Sequence, residues 1–177
     1  CTTFSIKRIV MRAVSSSLAN NNFNPLDLIE DVIVSNDWSY NRTDNDTLYV
    51  EVEGEWCDYQ LTLAWSPDCN LLQYTWTYNV NIPSKKYALI YSLLNKINLN
   101  LSAGHFELWA EDGWIMYRNS LISFDYSSIT SEKVDYILSA SLEDCDKYYP
   151  TFQFLLWENK TPRQAIEASL LETQGEA

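Results

Sequence analysis

The sequence predicts an α+β fold: an antiparallel sheet of about five strands with helices packed mainly on one face, in the order α-β-β-β-α-β-β-α-α. Three observations carry this. Several stretches alternate apolar and polar residues with the period of two that a half-buried strand requires. Others repeat apolar residues at three- and four-residue intervals, the period of a helix with one buried face. The strands also come in runs rather than one for one with helices, which disfavours a parallel doubly wound sheet. With 177 residues, 46 % hydrophobic and 14 % aromatic, the chain can build one domain with a real core.

The first helix starts at Asn24-Pro25, because the Asn oxygen caps free amides and Pro needs no donor at the first helical position. Leu26, Ile29, Val32 and Ile33 share its apolar face, and it should end near Ser35. A short strand around Trp38 to Arg42 would follow. LYVEVEGEW then alternates Leu48, Val50 and Val52 against Tyr49, Glu51 and Glu53, turning at Gly54-Glu55. CDYQLTLAW sets Tyr59, Leu61 and Leu63 against Gln60 and Thr62, and SPDCN is turn chemistry. LLQYTWTYNVNI places Leu72, Tyr74, Trp76, Tyr78 and Val80 on one face. These strands form a meander, with Tyr49, Glu51, Glu53, Gln60 and Thr62 directed to water.

After Pro83, Ser84 is expected to cap an amphipathic helix on which Tyr87, Ile90, Leu94, Ile97 and Leu101 recur. HFELWAEDGWIMYRNSL reads as a hairpin turning at Glu111-Asp112-Gly113, with Phe106, Leu108 and Ala110 inward and Trp114, Ile115 and Tyr117 on the return strand. A helix capped by Thr130 carries Val134, Ile137, Leu138, Leu142, Cys145 and Tyr149 on one side, and Pro150 is expected to stop it. Thr161, Pro162 and Gln164 form a capping box that opens the last helix, through about Glu172. PTFQFLLWENK, from Pro150, would then be a connector, with Phe152, Leu155 and Leu156 pinning the last helix to the core.

Charge is unevenly placed. Lys7, Arg8 and Arg12 are the only charges before Asp27, so residues 1–23 read as a basic leader ahead of a single domain over 24–177, with Met11 as an alternative start. The remainder carries nine basic and 24 acidic residues. That field repels phosphate backbones and anionic lipid, which argues against nucleic-acid or membrane-surface binding. No apolar run approaches the ~20 residues of a membrane span, and a cytoplasmic location is expected.

Catalytic and metal chemistry find little support. His105 and Glu107, two apart on one strand, would share a face as an acid-base pair, yet no nucleophile sits in a recognised turn, and a structural His is preferred. Cys57, Cys69, Cys145 and His105 lack zinc spacing, and the four cysteines, Cys1 included, read as buried reduced thiols. Asp44/Asp46 and Asp144/Asp146 read as solvated turn charges rather than a cation site. GxxxxGK and GxGxxG motifs are lacking, so no cofactor is expected. Seven Trp are many for one domain; most belong in the core or on the sheet, and those a single helix layer leaves uncovered would form an apolar patch for a protein. Phe154, Trp157, Trp109 and Trp114 are the partner-binding candidates.

The pieces NPLDLIEDVI (24–33), VEVEGEWCDYQLTLAW (50–65), GHFELWAEDGWIMYRNSL (104–121), FQFLLWENKTPRQAI (152–166) and LLETQGEA (170–177) resemble the YbjN family of bacterial sensory transduction regulators, whose fold is like that of type III secretion chaperones. The likeness runs from about Asn24 to Ala177, in order. It implies about five strands with flanking helices, no cofactor, no established catalytic residues, and regulation or protein binding. One departure is the turn before the last helix, Gly-rich in relatives but Glu158-Asn159-Lys160 here. The expectation is a noncatalytic regulatory or chaperone-like module that binds a protein of unknown identity. The alternatives are a self-associating homodimer and, third, a hydrolase using His105 and Glu107.

Overall fold

The structure, a computed structural model, describes residues 24–122, 129–158 and 160–175. The basic leader, Cys1 and the tail beyond Gly175 lie outside them. Helix α1 (Pro25–Ser35) leads into strands β1 (Ser39–Arg42), β2 (Thr47–Glu53), β3 (Asp58–Ser66) and β4 (Leu71–Asn81). Helix α2 (Tyr87–Asn98), strands β5 (His105–Trp109) and β6 (Trp114–Ile122), and helices α3 (Ser131–Trp157) and α4 (Pro162–Gly175) follow. All strand pairs are antiparallel, in the order β1-β2-β3-β4-β6-β5. The sheet has six strands rather than about five, because β1 pairs fully along β2, Tyr40 opposite Val50 and Arg42 opposite Leu48.

The caps form as their chemistry requires. The Asn24 side chain accepts from the Leu26 amide at 2.9 Å, and Thr161 and Gln164 exchange the two bonds of the capping box. Arg42 ties β1 to α1, its Nη1 lying 2.7 Å from Asp27 and 2.9 Å from Glu30. Ser84 does not cap α2: a 3-10 turn over Ser84–Lys86 precedes the helix. Ala110 is exposed in the hairpin turn rather than inward. Cys145 is buried as expected, but Cys69 is exposed, because it sits in the 3-10 turn between β3 and β4.

Alternate residues of the strands build one core with the helices. Leu48, Val50, Val52, Tyr59, Leu61, Leu63, Leu72, Tyr74, Trp76 and Tyr78 are all buried on the inner face against Leu26, Ile29, Ile90, Leu93, Leu138 and Phe152. Aromatic rings fill its centre: Tyr78 lies 5.4 Å from Tyr59, 5.5 Å from Phe152 and 5.6 Å from Tyr149. Their polar tips need partners once buried, and α3 supplies them. Trp76 Nε1 donates to Ser141 Oγ at 2.8 Å, the Tyr78 hydroxyl to the Cys145 carbonyl at 2.8 Å, and the Tyr59 hydroxyl to Asp146 at 2.6 Å.

Pro150 does not stop α3; it lies inside it. A proline within a helix removes one hydrogen bond and costs about 3 kcal/mol, but the segment around it is buried on every turn. Tyr148, Tyr149, Thr151, Phe152 and Leu155 lie in the interior, and burying each large side chain returns about 1.5–3 kcal/mol. The first part of the expected connector, Pro150 to Trp157, is therefore the last two turns of a 27-residue helix.

At the free edge of β5, the Asn98 side chain accepts from the Phe106 amide at 2.8 Å and donates to the Phe106 carbonyl at 3.0 Å. The β5–β6 turn depends on Gly113, whose φ is +75° and whose carbonyl accepts from the Ile82 amide at 2.8 Å. A Cβ there would sit 2.6 Å from the Ile82 carbonyl oxygen.

Gly113→Ala should therefore cost about 1–3 kcal/mol in urea unfolding, from the left-handed backbone and the clash together; an unchanged midpoint would refute the reading. A second expectation concerns pH. Burial raises the hydroxyl pKa of Tyr59, Tyr78 and Tyr117 above the ordinary value of about 10. The unfolded chain then loses these protons first as pH rises, so the stability they contribute is complete below about pH 10 and declines above it. The urea midpoint should fall above about pH 10, and less steeply in Tyr59→Phe.

Candidate functional site: the open face of the sheet

Strand parity sends the other row of side chains to the opposite face. There Tyr49, Glu51 and Gln60 are exposed and Thr62, Gln73, Thr75 and Thr77 half-buried, while the buried residues of all four helices belong to the core on the inner side. The residues expected to meet water, Tyr49, Glu51, Glu53, Gln60 and Thr62, all lie in this row.

The β5–β6 ladder places three successive cross-strand pairs on the same face: Trp109 opposite Trp114, Glu107 opposite Met116 and His105 opposite Arg118. Both Trp are 43 % exposed, whereas Met116 beside them is buried. Arg118 Nη2 approaches Glu107 Oε1 at 2.8 Å, and His105 Nε2 is 3.6 Å from Glu107 Oε2. The first contact is an ion pair without hydrogen-bond alignment, and Arg118 Nε is shielded with no hydrogen-bond partner. Glu107 is thus engaged by Arg118, and neither His105 nor Glu107 lines either of the two grooves described below.

Of the four candidate residues, the structure unites only Trp109 and Trp114. Phe154 is half-buried against the core, with Lys160 Nζ 4.2 Å from its ring centroid. Trp157, the last residue of α3, is 66 % exposed on its own helix.

Beside Trp114 a groove of about 860 Å³ crosses one end of the sheet. Strand β4 bulges here between Thr77 and Asn81, and such a bulge bends the strand out of register. Four carboxylates line the groove, Asp37, Glu51, Glu53 and Asp58, with Trp38 and Trp114 among their neighbours and no Lys, Arg or His. A second hollow of about 490 Å³ adjoins it over Tyr40, Tyr49 and Gln60. The lip formed by the β2–β3 turn is fixed to α3, because Asp146 accepts from both the Tyr59 hydroxyl and, at 3.1 Å, the Glu55 amide. Burial also pushes the Cys57 thiol in this turn upward, keeping it protonated. Period two found Glu51 and Glu53; Asp37 and Asp58 stand at strand entries, and only the sheet register brings all four to one end.

Among the described residues no group of three or more His, Cys, Asp and Glu is placed to hold a metal ion, and no helix is long and apolar enough to cross a membrane. Asp144 and Asp146 stand on α3 rather than in a turn, and burial raises the Asp144 carboxyl pKa.

The family model for YbjN, described as "Putative bacterial sensory transduction regulator", matches residues 25–154. Among solved structures, the crystal structure of YbjN, "a putative transcription regulator from E. coli", is similar with a TM-score of 0.50 at 13 % identity, covering 68 % of this chain and 85 % of that one. At that identity the likeness concerns the fold alone. No curated protein matches the chain.

The Glu107–Arg118 contact, partly exposed and imperfectly aligned, should contribute little. A double-mutant cycle with Glu107→Gln and Arg118→Met, read by urea unfolding, should give a coupling of about 0.2–1 kcal/mol. A coupling well above that range would show the pair to be a structural anchor.

Proposed function

We propose that this chain, which belongs to the YbjN family, is a noncatalytic regulatory module that works by holding a protein on the open face of its sheet, in the manner of a chaperone. The family is described as a regulator. The observation that carries the binding step is the Trp109–Trp114 pair: two large apolar side chains, opposite one another and each 43 % exposed, on a face that no described helix covers. Trp is the residue type most enriched where interfaces concentrate their energy, since it offers a large rigid apolar area with a polar N–H at its rim. The acidic groove beside the pair supplies selectivity, repelling anionic surfaces and attracting cationic ones. A cytoplasmic setting agrees with the free thiols of Cys57, Cys69 and Cys145.

The test is affinity capture from a lysate of the source cells with wild type, Trp109→Asp/Trp114→Asp, and Tyr136→Asp as a control on α3, which is 73 % exposed away from the sheet. The double variant should keep its far-ultraviolet circular dichroism and lose at least about tenfold of the captured protein, as expected when one interface residue worth more than about 1.4 kcal/mol is removed. Equal recovery by all three proteins rejects the open face as the binding surface. A second copy is the other occupant the pair would accept; a sedimentation mass that rises with concentration in wild type only would assign the face to self-association.

A further inference from the structure

The groove beside Trp114 holds four carboxylates at one end of the sheet. None of Asp37, Glu51, Glu53 or Asp58 forms an ion pair among the described residues. Like charges converging without counter-charge raise one another's energy, so the surface fits a cationic occupant. A second copy docked groove to groove would instead bring two such sets of carboxylates together.

The chain carries a cationic segment of its own. FSIKRIVMR, Phe4 to Arg12, holds Lys7, Arg8 and Arg12, the only charges before Asp27, interleaved with Phe4, Ile6, Ile9, Val10 and Met11. Geometry permits the approach. The leader joins the fold at Asn24, the cap of α1, while Asn36 and Asp37 at the other end of α1 line the groove. An 11-residue helix is about 16 Å long. The 12 residues from Arg12 to Asn24 span up to roughly 40 Å when extended, so Arg12, and Lys7 and Arg8 beyond it, can reach the groove. Because the leader is tethered, it is present at a millimolar effective concentration, and even weak pairing is enough to fill the groove.

We infer that the groove is the docking site of the chain's own basic leader, with Lys7, Arg8 and Arg12 set against Asp37, Glu51, Glu53 and Asp58 and the intervening apolar side chains lying toward Trp114. This deepens the proposed function and rests on it for its consequence: a docked leader covers one of the two Trp that a partner would need, and a partner must displace it. The docking itself requires no partner, so its test stands apart from the capture experiment.

The purified 177-residue chain is treated with a zero-length carbodiimide, which joins a Lys amine to a carboxylate in direct contact, and the linked peptides are identified by mass spectrometry. The expected result is a link from Lys7 to one or more of Asp37, Glu51, Glu53 and Asp58 within single chains. It should fall at least about tenfold in 1 M salt, where screening shortens to about 3 Å. The full-length variant Arg8→Glu/Arg12→Glu, which keeps Lys7 as the reporter, should lose the link to the same extent. Unchanged circular dichroism of this variant keeps the comparison valid. Lys7 links scattered over remote carboxylates such as Glu132 and Asp135, links that persist in salt, or links found only between isotopically distinct copies in a mixed sample each overturn the inference. Failure here with partner capture intact removes the leader and leaves the open face as a binding surface; the reverse result removes the partner reading alone.

Discussion

The fold hangs on the need of three buried aromatic side chains for hydrogen-bond partners. Trp76 and Tyr78 on β4 and Tyr59 on β3 bring large apolar area to the inner face, but each also brings an N–H or O–H that cannot be left without an acceptor in the interior. Ser141, the Cys145 carbonyl and Asp146 answer all three within two turns of one helix. This fixes α3 in rotation and in height over the sheet, since a shift of one residue would turn the acceptors away. Helices α1, α2 and α4 then pack beside a helix already set in place. The same demand explains why a chain would accept Pro150 inside α3: the acceptors lie on one side of it and Phe152 and Leu155 on the other, so a break there would separate two halves of one contact surface.

Concentrating the described helices on one side leaves the other without a described helix over it. The inner face takes up many of the described aromatic residues, and the outer row is largely polar; its exposed apolar side chains include Tyr49, Ile122 and, at the β5–β6 hairpin, Trp109 and Trp114 beside the buried Met116. Charge on that face is just as uneven, with Arg118 and His105 along the hairpin and, across one end of the neighbouring strands, carboxylates that form no ion pair among the described residues. A surface that is apolar at one point and acidic beside it discriminates by sign as well as by shape.

Much of this was legible in the sequence, for physical reasons that differ by element. The strands show because a period of two is a local property of the pleat, and Leu48, Val50 and Val52 keep to it without exception. Helix starts show because capping needs particular atoms at particular places, as at Asn24, Thr130 and Thr161. Pro150 misleads because its local cost is real and only tertiary burial outweighs it. Ser84 misleads because a capping residue is also a turn residue, and a 3-10 turn uses that second property. Of the candidate site, Trp109 and Trp114 could be placed near a hairpin turn but not on a face with Glu51 and Asp58, since that relation needs the order of all six strands. Phe154, like Pro150, belongs to a continuous helix and not to a connector.

The Asn98 amide at the rim of β5 bears on how the molecule meets others. A carboxamide has the same donor and acceptor as a peptide group, and by engaging the N–H and C=O of Phe106 it stands in for the first residue of an absent seventh strand. The opposite rim is only four residues long. Open rims invite the lateral stacking of chains into ribbons and fibrils, and here one is plugged and the other too brief to template a long register. Stacking by strand addition is therefore disfavoured at both rims.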